Sequence, residues 1–163
     1  MYKIFLLIFL LPTSCSTSRK SGSGFSFQLR EMNYLENQSL SGDAESQYAL
    51  GSSYCCGSKK VDYIKATKWL CQAAKQGHIG AQKKVALIHS QRAVAQIRKK
   101  RTDHLYHNSN ILALTWYKIV SNNGDKTVDP YIREIALYLS WQDARKADYY
   151  IGNYPNIPCE VKL

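Results

Sequence analysis

Apolar and small residues recur through residues 62–77, DYIKATKWLCQAAKQG, at Ala66, Trp69, Leu70, Ala73 and Ala74. This i, i+3, i+4, i+7, i+8 spacing lines one face of an α-helix. Asp62 is placed to cap its start, and Gly77 to end it as the residue after the last turn. The stretch has a copy 47 residues further on, where Ala66, Trp69, Leu70, Ala73 and Gly77 meet Ala113, Trp116, Tyr117, Val120 and Gly124. Two helices built to one plan predict a repeat protein, and matched positions assign Trp69 and Trp116 to the core between repeats.

The segment before this helix has its own pattern. Gln47, Leu50, Gly51 and Tyr54 predict a helix over residues 43–56 with Asp43 as its cap, and Gly57, Ser58, Lys59 and Lys60 turn it into the next. A second correspondence, offset by 35, pairs Ser46, Gln47, Leu50, Gly51 and Tyr54 with Ala81, Gln82, Val85, Ala86 and His89. Small residues at 46/81 and 51/86 allow close helix approach. Tandem hairpins of this kind predict an α-solenoid, in which each unit covers its neighbour's apolar face. Gly51 to Ala66 is 15 residues but Ala86 to Ala113 is 27, so the second hairpin carries 12 extra. Ala93, Ala95 and Ile97 let its first helix run on to about Lys100.

A less regular helix is expected over residues 27–40, closed by Ser41 and Gly42. Residues 127–139 read as a helix with Pro130 in its first turn. Ser140 is placed to cap a last helix over 141–150, after which Gly152, Pro155 and Pro158 end regular structure.

YALGSSY, KATKWLCQAAKQG and GHIGAQKKVA resemble the Sel1-like repeat, a relative of the tetratricopeptide repeat. The match is specific from Asp43 to about Leu87 and weaker over 113–124; the second glycine of the usual turn is absent, and Ala86 and His89 replace the usual Gly and Tyr. LSWQDARKA resembles the short helix that closes such proteins. The resemblance implies an all-α, right-handed superhelix of antiparallel hairpins over residues 27–154, with an irregular tail at 155–163. It also implies a protein-interaction adaptor whose curved surface is lined by the first helix of each hairpin. Tyr48, Ser52 and Lys84 lie off the packing stripe on those helices and are the candidate partner contacts.

The N-terminus concerns compartment rather than fold. Met1 and Lys3 precede an apolar run at 4–11 and then Pro12, Thr13, Ser14 and Cys15, the pattern of a signal peptide over residues 1–14, too short to span a bilayer as an anchor. LPTSC resembles the lipobox of bacterial lipoproteins, with Pro12 where leucine is usual and Leu11 one place early. The resemblance implies lipidation at Cys15 and, with Ser16 following, outer-membrane sorting. An ordinary signal peptide and a secreted product are the alternative. The Ser/Gly-rich residues 15–26 are expected to be a flexible tether.

Composition narrows the chemistry. With 163 residues and 45% hydrophobic content, the chain can bury one domain's core. Its net charge of +10 favours anionic partners, and Arg98, Lys99, Lys100 and Arg101 form a candidate basic patch whose bland reading is an exposed helix end. The export signal disfavours nucleic acid. Beyond Cys15, the cysteines Cys55, Cys56, Cys71 and Cys159 are even in number, as suits an oxidising compartment. Helical rise places Cys55 and Cys71 roughly 10 Å apart, against a bridge between them; the reach of Cys159 is left open. No positioned base accompanies a cysteine, although His78 and His89 are nearest in sequence. His104 and His107 stand beside cations, and neither a C-x-x-C nor a hydrolase motif occurs. The expected function is therefore a non-enzymatic scaffold needing no cofactor or metal. A secreted effector and a β-lactam-binding or hydrolysing relative are the alternatives.

Overall fold

The computed structural model describes residues 23–56, 61–99 and 104–159, and among them every regular element is helical. Helix α1 spans Ser23–Leu40, α2 Ala44–Cys56, α3 Tyr63–Lys75, α4 Ile79–Lys99, α5 His104–Asn122, α6 Asp129–Ala136 and α7 Trp141–Gly152, with a 3₁₀ turn at Lys126–Val128 before α6. Each of α1 to α5 packs on the next, and α5 also carries α6 and α7. This is an all-α solenoid of helical hairpins, as the repeat pattern predicts. The extra residues of the second hairpin lengthen its helices: α4 runs to Lys99, and α5 already begins at His104.

Three turns that reverse the chain are built alike. Gly42, Gly77 and Gly124 have φ of 98°, 90° and 99°, a left-handed conformation that costs a β-carbon-bearing residue energy. In each, the glycine N–H and the N–H that follows return to carbonyls of the ending helix: Ser39 and Gln38, Ala74 and Ala73, Ser121 and Val120. The residue after each glycine then accepts at the start of the next element. Asp43 takes the Ser46 N–H at 2.7 Å, His78 Nδ1 the Ala81 N–H at 3.1 Å, and Asp125 the Thr127 N–H at 3.1 Å. Thus α1 stands to α2 as α3 stands to α4, and the solenoid opens with a half unit.

Two buried glutamines repeat the same relation. Gln47 Nε2 donates to the Ser39 carbonyl at 3.0 Å and Gln82 Nε2 to the Ala74 carbonyl at 3.1 Å. Each ties the first helix of a hairpin to the last turn of the helix before it. The 35-residue correspondence therefore includes a polar bond as well as apolar packing.

The core runs along the hairpin interfaces, with Ala66, Leu70, Ala73, Ala81, Ala86, Ala113 and Trp116 all buried completely and Trp69 nearly so. Gly51 sets the approach of α2 to α3. A β-carbon there would lie 2.7 Å from Leu70 Cγ, 2.9 Å from the Leu70 backbone nitrogen and 3.1 Å from the Ala66 carbonyl oxygen. The helix ends follow their sequence caps. Asp62 accepts the Lys65 N–H at 3.0 Å, Pro130 lies in the first turn of α6, and Ser140 and Asp143 form a capping box at α7.

Several boundaries differ from the sequence reading. The helix expected over 127–139 is a 3₁₀ turn at Lys126–Val128 followed by α6, which stops at Ala136, and α7 runs through Gly152 rather than ending at 150. The tether expected to end at residue 26 overlaps α1, which begins at Ser23. Weak helix formers are tolerated there because a first turn already leaves its N–H groups without intrahelical partners. The tail after α7 is irregular but does not hang free. The Tyr154–Pro155 peptide is cis, and the Tyr154 hydroxyl is shared between the carbonyls of Ala74 and Lys75, at 3.0 and 2.9 Å. Its ring meets Trp116 edge-on at 6.5 Å, and Ile157 is buried completely. Cys159 then forms a disulfide with Cys71, their Cα atoms 5.9 Å apart and 88 residues apart in sequence. Cys71 thus pairs with the tail and not with Cys55, which is itself disulfide-bonded.

Replacing Gly51 with Ala is expected to destabilise the fold by about 1–3 kcal/mol through overpacking. Trp116→Ala should cost about 3–5 kcal/mol. The paired change Cys71→Ser with Cys159→Ser should cost about 4 kcal/mol by releasing a long loop in the unfolded chain. Urea denaturation of the purified proteins measures all three.

Candidate partner-binding surface

The first helices of the two hairpins, α2 and α4, lie side by side. The 35-residue repeat carries its packing residues inward on both, so the positions between those residues form the outer surface. Among these positions Glu45 on α2 is exposed, Tyr48 and Ser52 on α2 and Gly80 and Lys84 on α4 are half-buried, and the Ser52 Oγ is covered.

Tyr48 is the centre of this surface. Its ring stacks on His78 with centroids 4.3 Å apart and planes inclined by 24°, and the Lys84 ammonium stands 5.5 Å from its centroid. The absence of a side chain at Gly80 makes room: a β-carbon there would lie 3.1 Å from His78 Cε1 and 3.2 Å from the Tyr48 ring. His78 is held from both sides. Its Nδ1 accepts the Ala81 N–H, which leaves the proton of the neutral ring on Nε2, 2.9 Å from Glu45 Oε2. Glu45 itself is well exposed. The result is a row of carboxylate, imidazole, phenol ring and ammonium bridging α2 and α4.

The neighbouring lysines have different surroundings. Lys83 donates to Asp125 at 2.8 Å and to Thr127 at 3.3 Å, tying α4 to the turn after α5. This bond, together with those from Thr127, holds the Asp125 carboxyl down at about 2. Lys84 has no carboxylate partner among the described residues; its charge rests on the face of Tyr48, an arrangement stabilised by the ring quadrupole. It is therefore a cation held in place at the surface with its hydrogen-bonding capacity open.

Sequence reasoning named Tyr48, Ser52 and Lys84. The structure joins Tyr48 to Lys84, whereas Ser52 lies one turn along α2, partly buried, with its Oγ covered and without a hydrogen-bond partner. His78 was missed as a member. Its signal was present in the offsets, since Gly77–His78 occupies the place of Gly42–Asp43 and Gly124–Asp125, where the second residue caps. Arg98 and Lys99 close α4, but the side chains of Arg98, Lys99, Lys100 and Arg101 lie outside the described residues, as do Cys15 and the segment around it. No group of three His, Cys, Asp or Glu side chains among the described residues is placed to hold a metal.

A family model, the Sel1 repeat, matches residues 44–78. Over these residues the chain is similar to the Sel1 repeat. The matched residues contain α2, α3, the Gly77 turn and His78, so three of the four members of the surface row, Glu45, Tyr48 and His78, belong to the repeat itself. Sel1 repeats are generally protein–protein interaction modules. No curated protein and no solved structure matches the chain.

The depressed Asp125 carboxyl gives a pH signature. Its folded value lies below the ordinary 3.8, so its stabilising contribution is present above that value and is lost as pH falls toward about 2. Asp125→Asn should lower the melting temperature at neutral pH and flatten its fall between about pH 4 and pH 2, as followed by circular dichroism.

Proposed function

We propose that this protein is a non-enzymatic scaffold of the bacterial cell envelope that gathers protein partners on the surface formed by α2 and α4. The observation that carries the reading is the row Glu45, His78, Tyr48 and Lys84 on the outer side of a Sel1 repeat. It combines an aromatic face with an ammonium and a carboxylate at fixed separations. Such a row can hold a peptide segment through stacking and charge-assisted hydrogen bonds while its own side chains lose little freedom on binding.

The envelope location draws support from two independent features. The N-terminal signal pattern and the lipobox-like LPTSC direct the chain out of the cytoplasm. The Cys71–Cys159 disulfide suits an oxidising compartment and is rare where thiols are kept reduced. A protein lipidated at Cys15 would display its solenoid from the membrane through the short segment that precedes α1.

Affinity capture with in-cell crosslinking in the native host tests the proposal. Tyr48→Ala and Lys84→Glu should each reduce recovery of the partner by at least about tenfold, in the range of interface anchor residues. The melting temperature of Lys84→Glu should remain close to the parent's, because Lys84 is not part of the apolar core, whereas Tyr48→Ala also removes packing against that core. Partner recovery unchanged in both variants would remove this surface from the function.

A further inference from the structure

A second surface lies away from the α2–α4 row, at the start of α3. Val61, Tyr63 and Ile64 are exposed there to 42%, 40% and 50%, three apolar side chains within four residues. Consecutive positions of this kind do not form a helical stripe, so they project in different directions from one tip. Two lysines flank them, each over an aromatic ring: Lys65 stands 5.4 Å from the Tyr54 centroid and Lys68 5.2 Å from that of Trp69. Neither has a carboxylate partner among the described residues. The one acid within the tip, Asp62, is engaged in capping α3 through the Lys65 N–H. An apolar tip whose two ammoniums outnumber its one carboxylate is net cationic, and is complementary to a surface that is anionic outside and apolar beneath.

The topology indicates which surface that is. α2 packs back on α1 and α3 back on α2, so the start of α1, the end of α2 and the start of α3 share one edge of the solenoid. Residues 1–22 precede Ser23, and so join the fold at that same edge. They include Cys15, whose lipid would tie the mature chain to a membrane once the signal peptide read over residues 1–14 has directed export. The exposed tip therefore shares an edge with Ser23, the point at which this segment joins the fold. A soluble acidic protein would satisfy the lysines but would have no reason to meet the tip at this edge.

We propose that the tip formed by Val61, Tyr63, Ile64, Lys65 and Lys68 is a peripheral contact for an anionic phospholipid bilayer. The apolar side chains enter the level of the headgroups and upper acyl chains, and the two ammoniums pair with lipid phosphates. This contact is separate from any lipid on Cys15 and sets the orientation of the solenoid on the membrane. The edge that carries α3's start is turned to the bilayer, and the α2–α4 row is left accessible along the side.

The test uses the mature chain from Ser16 onward, exported behind a cleavable signal peptide without a lipobox, so that neither an attached lipid nor the apolar run at 4–11 contributes. Sedimentation with phosphatidylglycerol/phosphatidylcholine vesicles should recover the protein, whereas pure phosphatidylcholine vesicles should not. Lys65→Glu combined with Lys68→Glu should weaken binding by about twentyfold or more, each lysine near an anionic surface being worth about fivefold. Ile64→Ser should weaken it severalfold. A Tyr63→Trp variant reports insertion directly, since brominated phosphatidylglycerol should quench its added fluorescence. The proposal is overturned by equal recovery on neutral and anionic vesicles, or by parental binding in the lysine variant. It is overturned equally if soluble polyglutamate binds with the same lysine dependence while the added tryptophan is not quenched, since the tip would then recognise acidic polypeptide.

Discussion

The fold depends on how closely neighbouring helices can approach. Gly51 on α2 lies against the Leu70 side chain and backbone of α3, and fully buried alanines occupy the hairpin interfaces on both sides. Alanine and glycine surrender little side-chain entropy when buried, so the cost of this packing is borne mainly by the backbone. The left-handed glycine turns set where each helix stops, and Gln47 and Gln82 bond to the carbonyls beside those turns. Spacing, termination and polar satisfaction thus act at the same few positions. Wherever the three coincide, the chain forms a recognisable unit.

That coincidence explains what could be read in the sequence. The helix α3 was legible in full, because Asp62, the apolar stripe and Gly77 each state one part of it locally. The solenoid followed from the 35- and 47-residue correspondences. α1 was harder, since its apolar positions are irregular, and only the sequence around Ser39, Gly42, Asp43 and Gln47 reveals it as the second half of a unit. The docked tail was not legible at all. Tyr154 and Cys159 find their partners at Ala74, Lys75, Trp116 and Cys71, and no periodicity encodes contacts between residues about 40 to 90 positions apart. His78 was missed for another reason: as a cap it looks like an ordinary turn residue, and its stacking on Tyr48 arises only when α2 and α4 meet.

Two kinds of surface emerge from one packing scheme. On the side where α2 and α4 meet, the residues between packing positions are drawn into a fixed row by mutual contacts. At the edge where α2 ends and α3 begins, Val61, Tyr63 and Ile64 are left exposed by the described helices. The first surface is ordered by the repeat, while the second belongs to the point at which the repeat changes direction. A solenoid can therefore address a partner and a support simultaneously without a dedicated domain for either.

The tail bond to α3 bears on how the molecule comes apart. Linear repeat arrays are held by nearest-neighbour interfaces, so their outermost units open first and fraying can proceed inward one unit at a time. Here the last residues described are fastened to a helix near the middle, passing Trp116 of α5 on the way. The carboxyl end cannot peel away without first breaking contacts inside the array. Opening from that side is therefore coupled to the loss of the central hairpins, and a nominally one-dimensional chain of repeats gains the cooperativity of a closed ring.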